Sequence, residues 1–306
     1  MSSGPIVGLK AETGPLADLQ IRDPFVVPDP AHGRYLLYGT SGFGEVAHGG
    51  FVVRTSKDLE TWSAPQPVLA PAAGPAQAAH FWAPEVHAYR GRWYLFGSFS
   101  FGDVGRPEQR HTRIYVADEP TGPFTPLTTT SATPAEWLCI DGTMHVAEDG
   151  TPWMVFVREW VQVTDGEMHA VPLTPDLRAT AGEPRRLFRA SEAPWSRPQT
   201  WGGFSGYRVT DGPWLHRTAS GALLMLWSSF GDGGYLTGVA RSKSGHVTGP
   251  WIQETAPLFA GDGGHAMMFR DFKGELRLAL HTPNVPGRER ALILRVREDG
   301  DALVLA

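Results

Sequence analysis

Five short blocks in this 306-residue chain carry the side chains that could do chemistry: Ile21-Arg22-Asp23-Pro24, Trp82-Ala83-Pro84-Glu85, Ile140-Asp141-Gly142-Thr143, Thr210-Asp211-Gly212-Pro213 and Gly263-Gly264-His265-Ala266. Four hold a carboxylate and the fifth holds a histidine. From Asp23, the successive steps to Glu85, Asp141, Asp211 and His265 are 62, 56, 70 and 54 residues. One such block alone reads as a turn, because Asp-Gly and Asp-Pro are common turn formers. The same polar residue at the same phase of a long repeat reads instead as a ring of equivalent positions around one axis. Crowded carboxylates push one another's pKa values apart, so one can hold a proton while its neighbour is charged. Cleavage of a glycosidic bond needs such a pair: one acid to protonate the leaving oxygen, and one carboxylate to activate water or attack the sugar. A third carboxylate can orient the acid and tune it.

The elements that must position these residues repeat as well. Each block precedes a run rich in aromatic and branched residues: 34–41, 92–100, 153–160, 223–230 and 276–281. A second strand-like run follows each: 51–56, 112–118, 168–172, 236–242 and 291–297. Their composition and length are those of β-strands, and Gly, Pro, Asp and Ser punctuate them. Thr121-Gly122-Pro123-Phe124 and Thr248-Gly249-Pro250-Trp251 repeat one turn. No long stretch shows helical periodicity. These features predict an all-β five-bladed β-propeller, with residues 1–306 as a single domain. A β-sandwich or β-helix is the competing architecture, and the period is too long for a β-helix coil.

In a propeller blade the first strand lines the channel and the second runs back, so Ser98, Glu159, Ser228 and His281 are expected to approach the rim that holds Asp23, Asp141 and Asp211. Trp82, Trp160, Trp195, Trp201 and Trp214 fall near expected loop tips. Trp82 and Trp160 flank carboxylates, which suits stacking on a sugar, although burial of Trp in a core is common. Gly202-Gly203-Phe204-Ser205-Gly206 is expected to form a rim or lid before Asp211.

Composition narrows the function classes. A formal net charge of −5 without a basic run gives little support to nucleic-acid binding. Cys139 is the one cysteine, so no internal disulfide forms, and its apolar context reads as a buried small residue. No stretch is apolar enough to span a membrane, and Met1-Ser2-Ser3-Gly4-Pro5 does not read as a secretory signal. The expected location is cytoplasmic, unless a signal has been removed, and the expected state is a monomer. Neither a phosphate-binding Gly-rich loop nor a Gly-x-Ser-x-Gly elbow is present, and no close His and carboxylate spacing suggests catalytic zinc or iron.

Arg22-Asp23-Pro24, Phe81-Trp82-Ala83-Pro84-Glu85, Ile140-Asp141-Gly142-Thr143, the Asp-Gly-Pro block at 211–213 and Gly264-His265 together resemble glycoside hydrolase family 43. The resemblance runs from about residue 20 to 297. It implies a five-bladed propeller that cleaves arabinose- or xylose-containing plant polysaccharides by single displacement with inversion, with exo-acting α-L-arabinofuranosidase as the favoured activity and β-xylosidase, endo-arabinanase, galactofuranosidase or galactanase as the alternatives within the family. It implies Asp23 as general base and Asp141 as the residue that orients and tunes the acid. The family's acid is normally Glu in Glu-Gly-Pro, whereas the matching residue here is Asp211. Three readings follow: Asp211 is the acid, Glu159 has taken the role, or the propeller binds sugar without cleaving it. Trp82, Glu85, Trp160, Ser228, His281, Arg288 and Arg290 are the expected substrate contacts, a surface role being equally open for the two arginines. His265 matches a family histidine associated with a structural calcium or sodium ion in the channel. No cofactor is needed for the chemistry, and the expected partner is a carbohydrate.

Overall fold

A computed structural model of the chain describes residues 13–40, 51–69, 74–75, 78–103 and 105–306. Those residues form five four-stranded antiparallel sheets. Blade 1 is Arg22–Asp29, Arg34–Thr40, Val52–Ser56 and Gln66–Pro67; blade 2 is His80–Tyr89, Arg92–Asp103, Arg106–Ala117 and Thr125–Pro126. Blade 3 is Cys139–Val146, Pro152–Arg158, Glu167–Pro172 and Arg185–Arg189; blade 4 is Asp211–Arg217, Leu223–Gly231, Gly234–Ser242 and Trp251–Gln253. Blade 5 is Gly264–Arg270, Leu276–Thr282, Arg290–Asp299 and Ala302–Leu305. The architecture is the five-bladed β-propeller that the spacing predicts. Of the run expected at 34–41, Ser41 lies outside the described residues, as does Met1-Ser2-Ser3-Gly4-Pro5.

The apolar core is a series of layers between neighbouring blades. Leu37 of blade 1 belongs to one apolar cluster with Leu95 and Tyr115 of blade 2 on one side and Met267 of blade 5 on the other, while Phe156 of blade 3 clusters with Phe96 of blade 2. Trp227 of blade 4 joins Val157 of blade 3, and Leu226 joins Leu278 of blade 5. The second strand of a blade is therefore covered on both sides, as at Leu223–Ser229, where every residue is buried. Strands covered on both faces read as continuous apolar runs rather than alternations, which is why these runs were the clearest signal in the sequence. The recurring turns also match: Gly122 and Gly249 take φ of 78° and 72°, each before a cis proline.

Each first strand opens with a bulge. The register slips between Arg22 and Phe25, Trp82 and Glu85, Ile140 and Thr143, Asp211 and Trp214, and Gly264 and Met267. The residue after the first of each pair is left-handed: Asp23, Ala83, Asp141, Gly212 and His265 have φ of 52°, 44°, 56°, 52° and 52°. This ring corrects the phase expected from sequence. Asp23, Asp141 and His265 are equivalent, but Asp211 sits one residue before its left-handed position and Glu85 two residues after. Glu85 shares its register with Phe25, Thr143, Trp214 and Met267, below the ring.

The turned-out amide at each bulge needs an acceptor, and the previous blade supplies it. Thr40 Oγ1 accepts from Ala83 N at 2.7 Å, Ser98 Oγ from Asp141 N at 2.7 Å, and Ser228 Oγ from His265 N at 2.8 Å. His281 Nδ1 accepts from Asp23 N at 3.2 Å, which carries the pattern from blade 5 back to blade 1. The fifth interface differs. Val157 stands at the acceptor position opposite Ile140, and the Gly212 amide donates instead to Asp141 Oδ2 at 2.9 Å. Ring closure is completed by Ile21 N donating to the Glu289 carbonyl at 3.2 Å and a bridge between Gln20 and Arg290.

Ser228→Ala removes the acceptor of a buried amide. The expected cost is about 1–3 kcal/mol of unfolding free energy, read from urea denaturation midpoints at constant slope. An unchanged midpoint would show that the His265 amide does not depend on this hydroxyl.

Candidate active site

The bulges turn their side chains into a cavity of about 470 Å³ at one end of the channel. Asp23, Asp141, Asp211, Glu159 and His265 all line it, with Arg22, Arg110, Trp82 and Trp160. Four expected carboxylates are thus brought together, and Glu85 is not. The Glu85 carboxylate is buried below, where Oε2 meets His87 Nε2 at 3.0 Å. That level is packed by rings: Phe25 and Trp214 lie 5.4 Å apart between centroids, and His87 stacks on Trp214 at 5.9 Å. Trp214 is therefore packing inside the channel, and Trp195 is buried against Trp227 rather than placed at a loop tip.

Asp23 is held from every side. Thr40 Oγ1 donates to its Oδ2 at 2.8 Å. His265 Nδ1 lies 3.3 Å from its Oδ1, His281 Nδ1 3.5 Å and Arg22 Nε 3.6 Å. Burial alone would push this carboxyl up, but His265, Arg22 and the Thr40 hydroxyl together hold it below the usual carboxylate range. His281 has its own fixed role. It accepts the Asp23 amide at Nδ1, so its proton is on Nε2 and donates to Asn284 Oδ1 at 3.1 Å. Burial pushes its pKa down to about 3, with Arg22 adding to the effect, so it is neutral. His281 and Ser228 were expected to touch substrate; both instead brace the bulges from behind and do not line the cavity.

Asp211 carries the opposite displacement. Burial first, then the neighbouring Asp141 and Glu159 carboxylates, push its pKa up to about 7. Tyr235 donates its hydroxyl to Asp211 Oδ2 at 2.8 Å, leaving Oδ1 as the oxygen available to carry a transferable proton. Asp141 is also raised, by burial and by the Asp23 charge, while the Gly212 amide works against that rise. Its Oδ2 lies 3.7 Å from His265 Nδ1. Glu159 follows the end of its strand and is ion-paired with Arg110, whose guanidinium lies 4.8 Å above the Trp82 ring and whose Nε donates to Ser100 Oγ at 3.0 Å.

The wall on the blade 3–4 side is aromatic. The run expected to continue as strand to residue 160 ends at Arg158, and a short helix, Trp160–Val163, begins there. It aims Trp160 at a hairpin of Gln199–Trp201 and Phe204–Tyr207, the segment expected as a rim or lid. Trp160 stacks on Tyr207 at 3.8 Å and meets Trp201 edge-on at 6.4 Å. This hairpin accounts for the longest sequence step, between Asp141 and Asp211. Trp201 is 51% exposed and extends the wall outward.

Arg288 and Arg290, expected near the sugar, do not line the cavity; Arg290 Nη1 donates to the neighbouring Glu289 carbonyl at 2.8 Å. The arginines that do are Arg22, already visible in the first block, and Arg110, which lies within a long strand without a motif. Thr40, Tyr235 and Asn284 also escaped sequence reading. A signal existed for Thr40: it is the blade 1 counterpart of Ser98 and Ser228. His265 Nδ1 is directed at two carboxylates, and no group of three or more His, Cys, Asp or Glu side chains among the described residues is arranged to hold a metal ion. The described residues do not form a ligand set for the expected channel ion.

The fold and this constellation define a carbohydrate-cleaving propeller. The chain belongs to glycosyl hydrolases family 43, whose model matches residues 13–300. It is 42% identical to an endo-arabinase from Bacteroides thetaiotaomicron, with a TM-score of 0.84 over 93% of this chain and 97% of that one. An endo-1,4-beta-xylanase from the same organism shares the fold at 23% identity, TM-score 0.74, over 97% of each chain. An alpha-L-arabinofuranosidase from Lactobacillus brevis shares it at 17% identity, TM-score 0.69, over 93% of each. No curated protein matches the chain in sequence. Among the described residues, no helix is long and apolar enough to cross a membrane.

The two displaced carboxyls set the pH dependence. A base held ionised stays competent well into acid, whereas an acid with pKa near 7 loses its proton as pH rises through that value. Turnover is expected to fall above about pH 7 and to persist below the usual carboxylate range. A pH profile of kcat/KM checks this; a profile that rises through pH 7 would exclude Asp211 as acid.

Proposed function

We propose that the enzyme hydrolyses α-L-arabinofuranosyl linkages with inversion, using Asp23 as base and Asp211 as acid. The observation that carries this reading is the pair of buried carboxyls in one cavity with opposite displacements, Asp23 downward and Asp211 upward to about 7. Asp23 takes a proton from water as the water attacks the anomeric carbon. Asp211 gives its Oδ1 proton to the leaving oxygen while Tyr235 holds Oδ2. Asp141 orients the pair through the Gly212 amide. Glu159 is occupied by Arg110 and serves to hold that guanidinium and Trp82 at the cavity wall. Retention of both Asp23 and an acid partner argues for a catalyst over a binding propeller.

The arabinose assignment is supported by the 42% identical endo-arabinase. Release of terminal residues is the reading favoured by the aromatic wall, which bounds the cavity on one side. Attack within a chain is a second reading, favoured by that neighbour's description.

Asp23→Asn is expected to abolish turnover, by about a thousandfold or more, while arabino-oligosaccharide binding persists; calorimetric titration and product assay together test it. Asp211→Asn should impair poor leaving groups far more than activated aryl glycosides, and Glu159→Gln should not make that distinction. Digestion of linear arabinan then separates the modes: arabinose alone indicates exo action, a ladder of oligomers indicates endo action, and no product from any arabinoside rules out the sugar assignment. Polarimetry of the fresh product reads inversion directly.

A further inference from the structure

In four of the five interfaces between blades the left-handed amide is accepted by the side chain at one equivalent second-strand position: Thr40, Ser98, Ser228 and His281. Only Val157 cannot accept, and its exception falls next to the acid. Gly212 follows Asp211 directly, and its left-handed backbone matches that of the other four bulges, so its amide turns out as theirs do. Its φ is +52°, and a Cβ there would lie 2.8 Å from His265 Cγ, so the position has room for glycine alone. What varies between interfaces is therefore the acceptor and not the donor.

Blade 1 displays the alternative. Thr40 Oγ1 accepts the Ala83 amide and donates to Asp23 Oδ2, so the carboxylate is held through a hydroxyl rather than by the amide itself. In blade 3 the Asp141 carboxylate takes the amide directly. We propose that Val157 is a positioning residue: by presenting no hydroxyl, it gives the Gly212 amide to Asp141 and ties that carboxylate to the residue adjoining the acid. The inference rests on the reading of Asp211 as acid. It assigns the shape of the Asp141–Asp211 pair to a buried aliphatic side chain that touches neither substrate nor proton.

Valine and threonine have the same shape, so Val157→Thr installs the hydroxyl of the other interfaces without changing the packing volume. The groups facing Asp141 are left in place: Asp23 from blade 1, Glu85 from blade 2, Glu159 from blade 3, Asp211 with Tyr235 from blade 4, and His265 from blade 5. A relayed bond shifts the carboxylate by a fraction of the roughly 1 Å that can cost about a hundredfold.

The test is the pH profile and the separate kcat and KM of Val157→Thr on the arabinoside that the wild type cleaves, beside Val157→Ala and Asp211→Asn. The expected result is a kcat lowered about tenfold at similar KM, with the basic limb moved by about half a pH unit as the tuning of the acid changes. The alanine variant, which has no hydroxyl, keeps the basic limb at the wild-type position. Val157→Ser carries the same hydroxyl if the threonine variant does not fold. Wild-type kcat and basic limb in the hydroxyl variants would overturn the inference, as would an alanine variant that shifts the limb equally. An Asp211→Asn enzyme that retains the basic limb would instead overturn the reading of Asp211 as acid, and the inference with it.

Discussion

A buried amide that points away from its own sheet must find an acceptor, and this single requirement organises the molecule. Every first strand opens with a bulge, and every bulge turns one amide toward the neighbouring blade. An unpaired buried amide costs about 1–3 kcal/mol, so each blade is obliged to dock against the next with a hydroxyl, an imidazole or a carboxylate in place. In blades 1, 3 and 5 the same bulge throws the left-handed side chain, Asp23, Asp141 or His265, into the cavity. Joining the blades and building the site are thus one structural act, and His281 closes the ring from behind Asp23.

The charge arrangement follows from where that ring places its members. Asp23 shares its surroundings with the His265 imidazole, a guanidinium and a hydroxyl, which outweigh the cost of burial. Asp211 shares its own with two carboxylates, which add to that cost and outweigh the hydrogen bond that the Tyr235 phenol donates. Neither residue type nor burial distinguishes the two carboxyls; the neighbours do. Asp141 stands between them, close to His265 on one side and bonded to the amide that follows Asp211 on the other.

Much of this was legible in the chain. The blocks gave the number of blades, and the apolar runs marked the second strands because neighbouring blades cover both of their faces. Asp23, Asp141, Asp211, Glu159, Trp82 and Trp160 were found because they stand in or beside motifs. The phase was misjudged at Glu85 and Asp211, since the bulge turns the chain within two residues and a one-residue offset changes which side of the strand a carboxylate takes. Arg110 was invisible because a hairpin longer than its counterparts carries it inward, and length alone does not say where a hairpin leans. Ser228 and His281 were placed at the correct end of the blades but assigned to substrate, because a polar residue at a rim and a polar residue beneath one look alike in sequence.

The left-handed backbone also decides which carboxylates can be exchanged. Asp, Asn and His tolerate positive φ far better than longer side chains do, so positions 23, 141 and 265 are confined to a short list by stereochemistry before chemistry has any say. Asp211 stands one residue earlier, within its strand and outside the left-handed set. Its backbone accepts aspartate and glutamate alike. Backbone stereochemistry therefore leaves the length of the side chain at 211 open, and this is the position at which the chain departs from the Glu-Gly-Pro pattern to which the block is similar.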